Sequence, residues 1–208
     1  MTSPSFWTNQ IKKFSRDLLG FFFPPLCLYC EEKSDGKLLC AACAELLQLL
    51  NLTGRCPKCS GYCSGKCLKL CRPYKGLVAA MENVGPIRSL VREFENGKLP
   101  GLAKSLSSYL AVQWLKNDLE PPEVIVPFPR AWWEKMRRGY SPGELLAKEL
   151  RRQFHVHKAS IRDKHVLVVD TTLDTDRLAA FATKLQMELP KEVWGLCLFT
   201  KSTSGKPE

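Results

Sequence analysis

Two Cys-x-x-Cys pairs, Cys27/Cys30 and Cys40/Cys43, stand nine residues apart. Four thiols in that pattern are the donor set of one tetrahedral zinc site. Zinc takes thiolates at about 2.3 Å, and two short turns can present four of them without strain. Disulfide pairing is the alternative use of the same cysteines. Nine of the ten cysteines lie between Cys27 and Cys71, and Cys197 stands alone. Clustering without a secretion signal favours metal in a reducing cytoplasm over disulfides. A second block follows as Cys56-Pro-Lys-Cys59, Cys63, Cys67 and Cys71. Cys56 and Cys59 form a good knuckle. Cys67 and Cys71 can supply the other pair at a spacing one residue wider, and Cys63 is a fifth candidate. A second zinc is expected, with its four donors left open.

The formal charge of +10 suggests a polyanionic partner. Each zinc with four thiolates contributes about −2, so two such sites bring the balance to roughly +6. That charge tolerates nucleic acid or phosphate without requiring either. Residues 1–26 read as a lead-in, with Ile11, Phe14, Leu18 and Phe21 spaced for one helical face and Lys12, Lys13 and Arg16 opposite. Such a helix packs on the body or lies on a membrane surface. The apolar run over residues 18–26 is too short to span a bilayer and holds two prolines, so no transmembrane segment or cleavable signal is expected.

Residues 27–72 form the cysteine-rich module, with a helix expected to start at Cys40. The body covers residues 73–200, and 201–208 read as a polar tail. Within the body, Leu77–Met81 is a candidate strand. Pro86 opens a helix with Ile87, Leu90, Val91 and Phe94 at i, i+3, i+4 and i+7, capped by Gly97. A second helix is expected from Pro100 to Asn117. Val124–Val126 is a short strand ended by Pro127, and 127–140 reads as a loop. Ser141, Pro142 and Glu144 form a capping box. Val166–Asp170 is a buried strand. The helix behind it uses Leu178, Phe181, Ala182, Leu185 and Leu189. Val193–Phe199 is the last strand, with Cys197 as a core residue. This alternation predicts an α/β fold: a mostly parallel sheet with helices on both faces, and ligand sites at the carboxyl ends of the strands, near 127–140 and 170–176.

The order of these motifs resembles the ComF family of competence-associated proteins, a cysteine-rich zinc module followed by a phosphoribosyltransferase-type domain. The resemblance rests on Cys27/Cys30/Cys40/Cys43, on Pro86-Ile-Arg-Ser-Leu-Val-Arg-Glu-Phe-Glu-Asn-Gly97, and on Val124-Ile-Val-Pro-Phe-Pro129. It continues through Arg137-Arg-Gly-Tyr-Ser-Pro-Gly-Glu-Leu-Leu146 and Val166-Leu-Val-Val-Asp170. It implies a phosphoribosyltransferase-like fold, Asp170 as the catalytic-face acid, Arg138 near a pyrophosphate, and Mg²⁺ wherever transferase activity is kept.

Two departures weaken phosphoribosyl pyrophosphate as a ligand. The family's Asp-Asp-x-x-Thr-Thr-Gly-x-Thr motif is here Asp170-Thr-Thr-Leu-Asp-Thr-Asp-Arg-Leu178. One acid and the hydroxyl of Thr175 remain, the glycine is Asp176, and Asp174 replaces a threonine. At 4 Å, like charges repel by about 4 kcal/mol at an effective dielectric near 20, so Asp174 and Asp176 make a poor phosphate cradle and read instead as helix-start charges. The second departure is a deletion. Residues 154–162 replace a longer family segment that would form a hood over the site.

Arg130, Lys135, Arg137 and Arg138, interleaved with Trp132, Trp133 and Tyr140, suit single-stranded nucleic acid: cations for the backbone and stacking faces for bases. A solvated loop with one tryptophan on the sheet, or a phosphate site, are the competing readings. His155, His157 and His165 are isolated; His155-x-His157 alternates like a strand edge and lacks acidic companions, and no metal-ligand role is expected. The reading is a cytoplasmic competence protein, catalytically impaired, that binds single-stranded DNA or a competence helicase. An active transferase and a purely structural zinc adaptor are the alternatives.

Overall fold

The computed structural model describes residues 26–51, 53–56, 60–61, 75–157, 159–173 and 175–200. The lead-in before residue 26, Cys59, Cys63, Cys67, Cys71, Asp174 and the tail from 201 lie outside the described residues. The chain divides into two compact units, Met1–Leu47 and Gln48–Glu208.

In the first unit, an isolated antiparallel bridge joins Leu26 to Lys33. Cys27 N–H donates to Glu32 O at 2.8 Å, and Glu31 N–H returns to Cys27 O at 3.0 Å. Closing that turn puts Glu31 at φ 61°. Cys40 is the N-cap of helix α1 (Ala41–Glu45). The helix expected at the second knuckle therefore forms, but for little more than one turn. Cys27, Leu39 and Cys43 are buried.

The second unit is built on four strands: β1 (Gly76–Ala79), β2 (Val124–Pro127), β3 (His165–Leu173) and β4 (Glu192–Thr200). Their order is β1-β4-β3-β2, and every neighbouring pair is parallel. Val166 to Val169 are all buried, the continuous apolar run that a sheet covered on both sides requires. On one face, Val166 and Val168 share a core with Leu77, Ala79, Val193, Cys197 and Leu185 of helix α6 (Thr175–Gln186). Phe181 of α6 meets Phe128 edge-on at 5.4 Å. On the other face lie α3 (Leu102–Lys116) and α5 (Pro142–Gln153). There Trp114 of α3 meets Trp194 of β4 edge-on at 5.8 Å. The expected α/β class with a parallel sheet and helices on both faces is what forms.

Helix α2 (Gly85–Glu95) buries Ile87, Leu90, Val91 and Phe94, the four residues its spacing picks out. Three expectations need correction. The stretch between Pro127 and Tyr140 contains a helix, α4 (Trp132–Arg138). Strand β3 does not stop at Asp170 but pairs with β4 through Leu173, opposite Thr200. Helix α6 ends at Gln186, so Leu189 is not on its face but in an exposed turn at φ 54°.

Strand β1 is an edge, and residues ahead of it cover that edge. Ser60 Oγ donates to Leu77 O at 2.8 Å and accepts from Ala79 N–H at 3.2 Å. Leu50 N–H donates to Ala80 O at 2.7 Å, and Gln113 Nε2 donates to Leu50 O at 3.0 Å. Pairing an edge in this way removes a template for aggregation.

Candidate functional site

The sulfurs of Cys27, Cys30, Cys40 and Cys43 all lie within 4.8 Å of one another. None of the four is in a disulfide. Cys30 and Cys40 Sγ are 3.6 Å apart, against about 3.8 Å for the edge of a tetrahedron with 2.3 Å bonds. The donor set therefore fits one tetrahedral metal ion. At Cys27 burial opposes ionisation, but N–H groups of Cys30, Cys40 and Tyr29 outweigh it and bring the thiol down to about 6. At Cys43 burial and the neighbouring thiols push it up.

The second cysteine block repeats this backbone. Cys56 N–H donates to Gly61 O at 2.9 Å, and Ser60 N–H donates to Cys56 O at 2.8 Å. Ser60 sits at φ 54°. The same two hydrogen bonds and the same left-handed residue follow Cys27 at the same offsets. Cys56 thus heads a knuckle of the same design.

At the carboxyl ends of the strands, α4 is built inside out. Arg130, just ahead of the helix, then Glu134 and Arg138 fall at i, i+4 and i+8. Their side chains are turned inward, only 14%, 19% and 16% exposed. Glu134 Oε2 lies 3.7 Å from Arg130 Nη1 and 3.6 Å from Arg138 Nη1. The outward face carries Trp132 at 74% exposure, Trp133 at 53% and Met136 at 75%. Arg137 is exposed beside them. Neither tryptophan packs in the core, against the competing reading that put one of them on the sheet. Gly139 ends the helix at φ 78°, and Gly139 N–H donates to Lys135 O at 2.9 Å.

The other expected site residues divide between surface and body. Lys135 Nζ reaches Glu144 Oε2 at 2.8 Å. Of the expected capping box, Ser141 Oγ accepts from Glu144 N–H at 3.4 Å. Tyr140 is turned into the body: its ring lies 5.7 Å from Phe94, and its hydroxyl donates to Phe94 O. Burial raises its phenol above the ordinary value while Arg138 pulls the other way. Thr175 opens α6, and its side chain lies outside the described residues.

Asp170 is clamped. Arg130 Nη2 donates to Asp170 Oδ1 at 2.9 Å and Oδ2 at 3.0 Å, and Arg130 Nε donates to Oδ2 at 3.2 Å. Arg130 Nη2 also donates to Thr171 Oγ1 at 3.1 Å. The Thr171 hydroxyl donates in turn to Glu95, whose Oε1 is 3.7 Å from Arg130. Burial pushes the Asp170 carboxyl above its ordinary range, and Arg130 offsets part of that shift. The N-terminus of α5 closes in from above: a Cβ on Gly143 would stand 3.2 Å from Asp170 Oδ1. Behind α4 a cleft of about 340 Å³ opens between Phe128, Arg130, Trp132 and Tyr140.

Sequence reasoning missed Glu95 and Glu134. The i, i+4, i+8 spacing of Arg130, Glu134 and Arg138 was a readable signal for the second; nothing local announces the first. His155 sits in a turn at φ 54°, not on a strand edge. His165 lies at the opposite, amino end of the sheet and does have acidic neighbours, 3.5 Å from Glu120 and 3.4 Å from Glu192.

Fold and site together define an α/β protein with a parallel sheet, a four-cysteine cluster earlier in the chain whose geometry fits one metal ion, and an aromatic, basic helix at the strands' carboxyl ends. Over 142 residues the chain is 28% identical to Competence protein F of Haemophilus influenzae, covering 63% of this chain and 61% of that protein. The chain thus spans less than two thirds of that relative's length. The resemblance to the ComF family is borne out by this match and by the cysteine cluster. No family model matches the chain. Among solved structures it is similar to a hypoxanthine phosphoribosyltransferase from Trypanosoma cruzi complexed with the product IMP. That likeness has 13% identity, a TM-score of 0.30, and coverage of 51% of this chain and 75% of the other. The overlap is too loose to transfer any residue's role. Among the described residues no helix is long and apolar enough to cross a membrane.

Proposed function

We propose that this chain is a competence-type protein that binds single-stranded DNA through α4, on a phosphoribosyltransferase-type sheet that no longer turns over phosphoribosyl pyrophosphate. The observation that carries this reading is the inverted helix. A helix that turns its ion pairs inward and Trp132, Trp133 and Met136 outward presents an apolar, basic surface built for contact. Indole faces stack on any base, worth about 1–3 kcal/mol each, while Arg137 meets the phosphates, joined by Lys135 on exchanging its exposed Glu144 partner.

Loss of transfer chemistry is supported at Asp170. Both its carboxylate oxygens are held by Arg130, where a ribose hydroxyl would need one of them. Between the end of β3 and the start of α6 only residue 174 remains, too short for a loop to wrap a phosphate. Mg²⁺ belongs to this protein only if the transfer reaction survives.

In the cysteine module, Cys27, Cys30, Cys40 and Cys43 would hold zinc, which cross-links a segment with few core residues of its own. Cys56 and Cys59 would head a second site with Cys67 and Cys71. On this reading the cysteine-rich stretch 27–72 carries both metals, the first within the Met1–Leu47 unit and the second at the start of the larger unit. The protein works in the cytoplasm on incoming single strands, with a competence helicase as the protein partner.

Fluorescence anisotropy with a labelled oligothymidylate tests this. Trp133→Ala is expected to weaken binding by about 1–3 kcal/mol, and Arg137→Gln to lower the salt slope. Absent or salt-independent binding by the intact protein sinks the proposal. Heat on titrating phosphoribosyl pyrophosphate with Mg²⁺, lost in Asp170→Asn, would restore the transferase.

A further inference from the structure

Helix α2 carries a second cationic row that the reading above leaves unused. Arg88 and Arg92 are exposed, and among the described residues neither side chain has an ion pair or hydrogen bond. They lie at i and i+4, about 6 Å apart along the axis, on one stripe. Helix stability accounts for Arg92, which stands in the last turn where the dipole favours a cation, but not for Arg88. Arg88 stands in the first turn, where no acidic residue accompanies it and the helix dipole disfavours a cation by about 0.3–1 kcal/mol.

The stripe leads directly to α4. Glu95, three residues beyond Arg92, is on the same side, and its carboxylate touches Thr171 and Arg130. The two helix ends are also joined elsewhere. Tyr140 donates to Phe94 O, and Gly97 lies so close to Arg138 that a Cβ would stand 2.8 Å from Arg138 O. Gly97 holds φ 88° there, a position suited to glycine alone. The carboxyl end of α2 is therefore held against both ends of α4, through Arg130 ahead of it and Arg138 at its close.

We infer that α2 is the second half of the nucleic-acid interface: Arg88 and Arg92 carry the phosphates of the strand leaving Trp132 and Trp133. This rests on α4 binding single-stranded DNA. The occupant is a phosphodiester chain, because two unpaired guanidiniums one helical turn apart match a repeating anion. An apolar partner would need carbon surface that this stripe lacks.

The test compares the intact protein with Arg88→Gln/Arg92→Gln, using oligothymidylate anisotropy over a salt series and tryptophan quenching. The log K against log salt slope should fall in magnitude by about 0.7 for each arginine removed. Quenching at saturation should persist, since the indoles still stack. Arg88→Lys/Arg92→Lys should recover the slope. A folded glutamine variant with unchanged slope and affinity overturns the role of α2 while leaving α4 standing. If the intact protein binds no DNA, both readings fall. Circular dichroism confirms folding, and the single Arg88→Gln variant serves if the double variant does not fold.

Discussion

At Asp170 burial and ion pairing act against each other, and the balance is open to measurement. The side chain is 3% exposed, and Arg130 is the cation that compensates it. Arg130→Ala leaves a buried carboxylate without its cation, with only the Thr171 N–H still donating to Oδ1 at 2.8 Å, which is expected to lower stability at pH 7 by about 3–5 kcal/mol. The pH dependence has a definite sign. Burial holds the folded-state pKa above the ordinary 3.8, and losing Arg130 raises it further. As pH falls through that raised value the carboxyl takes a proton and the penalty shrinks. Guanidinium unfolding over a pH series from 7 down to the ordinary carboxylate range reads this out, and a penalty that stays constant across it would show that Asp170 is not the cause. Glu192 behaves in the opposite way. A hydrogen bond from Lys75 holds its carboxyl below the ordinary 4.5. Its contribution is therefore present above pH 4.5 and lost as pH falls below it. The pair is solvent-exposed, so Glu192→Gln should cost under about 1 kcal/mol at pH 7, with the difference vanishing in acid.

Among the elements, those whose apolar residues face inward were legible in the sequence. Ile87, Leu90, Val91 and Phe94 define α2, and the run Val166 to Val169 defines the buried part of β3. Helix α4 was not legible, because hydrophobic periodicity assumes that carbon goes inside. Here Trp132, Trp133 and Met136 go outside, and Glu134 draws Arg130 and Arg138 in. The end of β3 was hidden for another reason. Thr171-Thr172 reads as a loop, and pairing of Thr172 with Phe199 and Leu173 with Thr200 across the sheet keeps it extended. The site was thus half readable: its cations and aromatics from composition, its geometry from two tertiary facts. Glu134→Ala tests the inversion. It should release Arg130 and Arg138 from their shared partner and unsettle α4, raising solvent quenching of the tryptophans by iodide. Unchanged quenching would mean that Gly139 and the Lys135–Glu144 pair hold the helix without it.

For the whole molecule, the two cysteine knuckles look alike in backbone and differ in surroundings. The Cys27 knuckle belongs to the Met1–Leu47 unit, whose described core is little more than Cys27, Leu39 and Cys43. The Cys56 knuckle belongs to the larger unit, and its Ser60 bonds both Leu77 O and Ala79 N–H on the sheet edge. Metal loss should therefore have unequal consequences. A segment with so small a core depends on its metal for folding, so Cys27→Ser should remove one zinc and unfold its own unit while the sheet's unfolding midpoint stays put. Cys56→Ser should also remove one zinc, but it loosens the turn that presents Ser60 and exposes the β1 edge. Two buried hydrogen bonds at about 1 kcal/mol each set the expected loss in the sheet's stability at roughly 2 kcal/mol. Zinc stoichiometry by atomic absorption, with guanidinium unfolding followed by far-UV signal, separates the two. A holoprotein with a single zinc would end the case for the second site. Equal effects of the two substitutions on the sheet would show that its edge does not depend on which knuckle holds the metal.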